Sequence, residues 1–409
     1  MKGASTGSGP LAPRLLLSGI AIVLTLSSLE VLARVWVSHF ASREQFTRYA
    51  SLAEYNERIG GEEWWFGLLA PHRYLGYTLA PNLLDGKNRH NSLGFRGEEL
   101  EVPKPEGEFR IACIGASTTY SLLVPDASQS YPALVQESLR ERGHPNVTVV
   151  NAGVPAWTSY ENLINYLLRI QDLEPDLIIV KEAFADVACR MVWPPSAFRA
   201  DNSGCLAPQV KPRGLPLYQA STLARILLVT SGRSLPTSAL GVSIYNQADT
   251  SYFFEFAKQR WGWRYPDGIF ETIPVARMLE ANSSEHYRQN VESLLLQARA
   301  QGVRAVLMTF PYSPQVPGYF DIDGIRAAVD EHNEFLRQVA AQRGVPLIDM
   351  AAIFPTDPAY WGFDGIHANE KGTALESQLV TDFLLEHELV GDPSPRSGPA
   401  RGQASASPS

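Results

Sequence analysis

Three cysteines in 409 residues is few, and no two of them stand as Cys-x-x-Cys. A structural zinc site of the usual thiolate spacing is therefore not expected. Basic charge is also thin: 35 Lys and Arg stand against 43 Asp and Glu, for a net charge of −8, and no basic run is dense. The electrostatic footprint of a nucleic-acid binder is missing, so no nucleic-acid partner is expected. The rest of the composition, 45% hydrophobic and 19% charged, suits a globular protein with a sizeable core.

Charge is absent altogether from Leu15 to Leu29, and the apolar character continues to Val37 with Glu30 and Arg34 inside it. Fifteen residues are short for a membrane span, whereas the longer stretch reaches the ~20 residues that a span needs. Glu30 and Arg34 are four apart, so they can pair on one helix face. Residues 15–37 read as an uncleaved transmembrane anchor behind a Gly/Ser/Pro-rich disordered tail, 1–14. A cleaved signal peptide is the rival reading; no clean small-x-small cleavage site follows, with Ala33 and Ala41 as the candidates. A buried soluble helix is the third. Residues 38–107 form a lead-in. It is helical and amphipathic to about residue 70, with Trp64, Trp65 and Phe66 near the end, then Gly/aromatic loops at 71–77 and 91–97. Pro103 and Pro105 mark the entry to the main domain, 108–390.

From Arg110 onward, short Ile/Val/Leu-rich runs at 110–114, 147–151, 176–181, 303–309 and 345–349 alternate with helical periodicity. The helices are expected over 131–142, 161–173, 285–300, 323–343 and 370–388. This succession predicts an α/β domain with a parallel sheet covered on both faces. Residues 188–280 break the rhythm as an insertion, read as a lid or flank on the substrate side; it carries Trp193, Trp261, Trp263 and a serine-rich helical piece at 220–239. Cys189 and Cys205 bracket its first part, as a disulfide or as two thiols, while Cys113 in the first strand reads as an inert core residue. Residues 391–409 read as a disordered tail.

The chemistry gathers around the first strand. Gly115-Ala116-Ser117 follows the Ile111–Ile114 run, at the carboxyl end of a strand and just before a helix. Ligands bind open α/β sheets at that position. A Ser/Thr-rich helix cap is the plain alternative. Late in the chain, Asp364 and His367 stand three apart on a loop entering the last helix. That spacing lets the carboxylate orient the imidazole while the other ring nitrogen faces Ser117. Gly153, after the second strand, is a candidate backbone donor to an oxyanion, or simply a turn glycine.

Ser117, Gly153 and Asp364-x-x-His367, in this order and setting, resemble the SGNH hydrolases, also called GDSL esterases and lipases, over residues 110–388. Residues 71–97 look like the lead-in of membrane-anchored bacterial members. The resemblance implies a flavodoxin-like three-layer α/β/α sandwich and no cofactor. It casts Ser117 as nucleophile, His367 as base and Asp364 as its partner, with the amides of Ser117 and Gly153 as oxyanion donors. Two departures stand out. Gly-Asp-Ser reads Gly115-Ala116-Ser117, and Gly-x-Asn-Asp reads Ala183-Phe184-Ala185-Asp186, so Ala185 replaces a side-chain amide donor. The expected activity is ester hydrolysis or acyl transfer outside a membrane. O-acetylated envelope carbohydrate is the substrate class implied by anchored relatives. A non-catalytic carbohydrate-binding or assembly protein of the same fold is the alternative.

Overall fold

The computed structural model describes residues 11–51, 54, 68–192, 195, 198–201, 220–234 and 273–391. In chain order the helices are α1 (Leu11–Val35), continued by a π-helical turn at Trp36–Phe40, and α2 (Arg43–Tyr49). Next come α3 (Ser117–Tyr120), α4 (Tyr131–Glu141), α5 (Ser159–Asn165), α6 (Phe184–Arg190) and α7 (Thr222–Thr230). The last five are α8 (Val275–Ala281), α9 (Glu285–Ala300), α10 (Ile325–Arg343), α11 (Met350–Ile353) and α12 (Glu370–Glu386). Two hairpins, β1 (Leu69–His72) with β2 (Gly76–Leu79) and β3 (Leu84–Asp85) with β4 (Asn88–Arg89), precede the main sheet. That sheet contains β5 (Phe109–Gly115), β6 (Val147–Gly153), β7 (Leu177–Lys181), β8 (Arg304–Met308) and β9 (Leu347–Ile348).

The chain divides into two compact units, residues 1–66 with 209–243, and residues 67–208 with 244–409. The second holds the five-stranded sheet, in the order β6-β5-β7-β8-β9, with every pair parallel. Each strand lies within about two residues of a run expected from the sequence. The sequence shows runs rather than alternation because both faces are covered. On β5, Ala112 and Ile114 face a cluster with Tyr166, Val291 and Leu336, drawn from the π-helical turn after α5 and from α9 and α10. Ile111 and Cys113 face the other way, against Tyr131, Val135 and Leu139 of α4 and Val380 and Leu384 of α12. These are the three layers of a flavodoxin-like sandwich, and β5, with β6 on one side and β7 on the other, is where the strand order reverses.

Three details differ from the sequence reading. The helix expected over 161–173 begins at Ser159, where Thr158 and Glu161 form a reciprocal cap, and passes through a π-helical turn at Tyr166–Ile170 into a 3₁₀ turn. The helical reading of the lead-in gives way to strand at Leu69, because Pro71 and Gly76 suit a hairpin better than a helix. The helical piece of the insertion, α7, belongs to the same compact unit as α1 and not to the sheet-bearing unit. Cys113 is free and fully buried, its thiol pushed up to about 12 by burial, which makes it inert. Cys189 is held in a disulfide. Cys205, Trp64, Trp65, Phe66, Trp193, Trp261 and Trp263 lie outside the described residues.

Candidate active site

Strand β5 ends at Gly115, and Ser117 is the first residue of the single-turn helix α3. Two glycines bring that turn down onto the sheet. A Cβ on Gly115 would strike the Thr119 side chain and stand 2.5 Å from the Lys181 carbonyl oxygen. A Cβ on Gly153 would strike Tyr120 N and come within 2.7 Å of Thr119 C and 2.9 Å of Ala116 O. Neither glycine has a left-handed φ, so the requirement is space and not backbone freedom.

The far end of α3 is held by the lead-in. The buried Arg96 guanidinium donates to the carbonyls of Tyr120, Ser121 (3.0 Å) and Val124 (2.6 Å), and to Asn88 Oδ1 (2.9 Å). It also lies 4.4 Å from the Tyr120 ring centroid. A cation at the carbonyl end of a helical turn meets the carbonyls that the turn cannot satisfy itself. His90 reaches the Tyr120 hydroxyl at 2.9 Å and the Ala80 carbonyl at 2.9 Å. Burial pushes its imidazole down to about 4, so it is neutral at physiological pH. The sequence reading saw in the loops 71–77 and 91–97 only an approach to the first strand; His90 and Arg96 grip the segment after Ser117.

The base comes from the loop between α11 and α12. Gly365 adopts φ +70, and a Cβ there would come within 2.7 Å of the Ser313 carbonyl oxygen. The turn lets Asp364 Oδ1 accept from the amides of Ile366 and His367, each at 3.0 Å. Asp364 Oδ2 accepts from His367 Nδ1 at 2.6 Å, and His367 Nε2 stands 2.7 Å from Ser117 Oγ. Burial alone would raise the Asp364 carboxyl; the His367 charge and three hydrogen bonds outweigh it and hold the group below its ordinary value. An ionised Asp364 accepts and cannot donate, so the proton sits on Nδ1 and Nε2 is free to take the Ser117 hydroxyl proton. Ser117 and His367 are half-buried and Asp364 is buried, so exposure falls along the chain of bonds toward the carboxylate.

The amide of Gly153 donates to Asn151 Oδ1 at 3.1 Å, so this expected oxyanion donor is engaged within its own strand. Ser117 N and Ala156 N are among the amides that donate to no described residue. Ala156 occupies the third position of the turn Val154-Pro155-Ala156-Trp157, closed by Trp157 N to Val154 O at 3.2 Å, and has φ +66. A type II turn places a left-handed residue there and normally uses glycine. Alanine in that region carries about 1–2 kcal/mol of strain. The sequence reading passed over Ala156. Pro155 at the second turn position signals a turn, but it suits type I and type II alike and so does not by itself mark a left-handed residue next.

Ala185 is buried in the first turn of α6. Its neighbour Phe184 is also buried, with the Tyr319 and Phe320 rings centred 5.0 and 6.1 Å away, and an apolar cluster fills the space around it. Asp186 ties α6 to α5 by accepting from Ser159 Oγ (2.6 Å) and Ser159 N (3.0 Å). Burial pushes the Asp186 carboxyl up to about 7 against the pull of those hydrogen bonds. Glu182, fully buried and bonded to Asn162, is also pushed up by burial and by its acidic neighbours.

The sequence profile of the GDSL-like Lipase/Acylhydrolase family matches residues 113–375, which span every residue just described from Cys113 to His367. No curated protein matches the chain. Among solved structures, a putative acylhydrolase from Bacteroides fragilis is 14% identical, covering 69% of this chain and 91% of its own, with a TM-score of 0.39. A lipase/acylhydrolase from Enterococcus faecalis is 15% identical, with 68% and 96% covered and a TM-score of 0.39. A catalytic mutant of an acetylxylan esterase from Geobacillus stearothermophilus is 15% identical, with 68% and 95% covered and a TM-score of 0.39. The family assignment rests on the profile match.

Proposed function

Because the chain belongs to the GDSL-like lipase/acylhydrolase family, we propose that it hydrolyses esters through Ser117, His367 and Asp364, in a domain held at the outer side of a membrane. The observation that carries this reading is the unbroken chain Ser117 Oγ–His367 Nε2, His367 Nδ1–Asp364, at 2.7 and 2.6 Å. Ser117 Oγ attacks the acyl carbon as its proton passes to His367 Nε2. The imidazolium, steadied by ionised Asp364, then protonates the leaving alkoxide, and the acyl group remains on Ser117. Water gives its proton to His367 Nε2, attacks the acyl carbon and releases the acid, and Ser117 recovers its proton.

The developing oxyanion is received by the amides of Ser117 and Ala156 in this reading. Gly153 serves by allowing α3 to approach. Ala185 brings no third donor, and loss of one such donor lowers turnover by ~10²–10³ where it has been measured. The site is therefore a slow but complete one. Short acyl groups on envelope carbohydrate are the substrate class favoured by an anchored hydrolase. Among the described residues one helix, Leu15–Phe40, is long and apolar enough to cross a membrane, and none of its most apolar window is buried, which supports anchorage. The test is covalent labelling of the full chain by a serine-directed phosphonate, with turnover of aryl and sugar acetates, beside Ser117→Ala. We expect one adduct, on Ser117, and activity lost with the substitution. A folded wild type that takes no adduct and turns over no acetate would leave a binding protein as the better reading.

A further inference from the structure

The apolar helix contains one acid, Glu30, fifteen residues beyond Leu15. At ~1.5 Å per residue this places it about 22 Å along a span, within a hydrocarbon layer ~30 Å thick. A carboxylate there must be satisfied by protein. It is, and the partners come from far along the chain. Glu30 accepts from Ser221 Oγ (2.8 Å), Thr222 N (2.9 Å) and Leu223 N (3.0 Å), which form the amino terminus of α7. Arg34 completes the latch, donating to Glu30 Oε1 at 2.7 Å and to the Ala220 carbonyl at 2.8 Å. From that level α7 runs toward the end of the anchor. Arg225 donates to the Tyr49 carbonyl at 3.0 Å, and Ile226 packs against Val37, Phe46 and Ala50.

Nearly all the polar capacity of α7 is thus turned inward. Thr222, Arg225 and Val229 are buried, while Leu227 is 61% exposed, as open as Leu24 (62%) and Leu32 (64%) on the anchor itself. We propose that α7 is a second membrane-embedded element, seated beside the anchor with its Leu227 face in lipid acyl chains and its amino terminus latched to Glu30 and Arg34. Lipid is the occupant because the Leu227 face continues the exposed apolar surface of the span, and because the Glu30 latch sets the start of α7 at hydrocarbon depth. The insertion would then return the chain to the membrane between α6 and α8. A lid over substrate is not the role this assigns to residues 220–234. The proposal rests on the reading of Leu15–Phe40 as a span, and its test separates the two.

The full chain, carrying Cys205→Ser and Cys189→Ala, would be placed in phosphatidylethanolamine/phosphatidylglycerol vesicles, with one cysteine added at Leu24→Cys, Leu227→Cys or Glu137→Cys and carrying an environment-sensitive fluorophore. Cys113, fully buried, stays unlabelled. Nitroxide-bearing lipids should quench the probes at positions 24 and 227 to within about twofold of each other, and leave position 137, on the exposed side of α4, unquenched. Adding Glu30→Ala to Leu227→Cys should lower lipid quenching at least threefold and open the probe to aqueous iodide. Position 24 quenched by lipid while 227 behaves like 137 would overturn the proposal and keep the anchor. Position 24 unquenched would overturn both. Quenching at 227 that ignores Glu30→Ala would overturn the latch.

Discussion

Gly153→Ala tests how the nucleophile turn is held. The new methyl would lie 2.7 Å from Thr119 C and 2.9 Å from Ala116 O, and it would strike Tyr120 N, all of them backbone atoms of the turn bearing Ser117. No side chain can swing aside, so α3 itself must retreat by roughly 1 Å for Tyr120 N, the nearest of these atoms, to regain ordinary contact near 3.4 Å. The Ser117–His367 bond, 2.7 Å in the wild type, lengthens or bends accordingly. A misplacement of about 1 Å lowers turnover by up to ~10²-fold, and overpacking of this kind destabilises by about 1–3 kcal/mol. Alanine keeps the backbone N–H, so the substitution leaves any donor function of Gly153 formally in place. The assay is kcat and KM on an aryl acetate with urea unfolding of the same preparation. We expect kcat to fall 30- to 100-fold, as an estimate from the same displacement, with KM changed far less. A variant within about threefold of wild-type kcat and equal to it in stability would refute the claim that close approach is what this glycine supplies.

Arg96→Ala should destabilise the hydrolase unit by about 3–5 kcal/mol, because the carbonyls of Tyr120, Ser121 and Val124 lose their buried donor. Arg96→Lys should recover less than half of that, since an ammonium cannot span the fork; a lysine variant with the wild-type unfolding midpoint would contradict it. Asp186, raised to about 7 in the fold, binds a proton more tightly folded than unfolded. Its contribution to stability is therefore fully present below about pH 4 and is lost as pH rises through 7. Asp186→Asn should flatten the decline in unfolding free energy between pH 4.5 and 7.5; parallel profiles for mutant and wild type would sink this account. Ala185→Asn should raise kcat, by up to ~10²-fold if the amide reaches the oxyanion, with KM moving less. An unchanged or lower kcat in the folded variant would mean that the Phe184 cluster has turned this loop to another use.

The parallel sheet was legible because each of its strands is a short apolar run covered on both faces, a local signal that survives without knowledge of the partners. The same holds for the helix boundaries at Gly143, Gly302 and Gly344, where a left-handed glycine ends or follows a helix or marks its turn. Asp364 and His367 were legible as a pair because three residues of loop are enough to bring their side chains together. Their approach to Ser117, 250 residues away, was inferred from resemblance and is a property of the fold: it needs the end of β5 and the loop before α12 to meet at one edge of the sheet. Other assignments lay beyond any local rule. Gly153 reads in one dimension as a turn glycine with a free amide, and only the fold shows that amide donating to Asn151 Oδ1. Arg96 and Glu30 read as ordinary charges, one in a loop and one in an apolar helix. Only tertiary structure sets the first against the carbonyls of the Ser117 turn and the second against the amino terminus of α7. Hydropathy and turn propensity act over a few residues and fix where elements begin and end. Which polar group satisfies which is decided by long-range packing, because a buried donor takes whatever acceptor the fold brings to it.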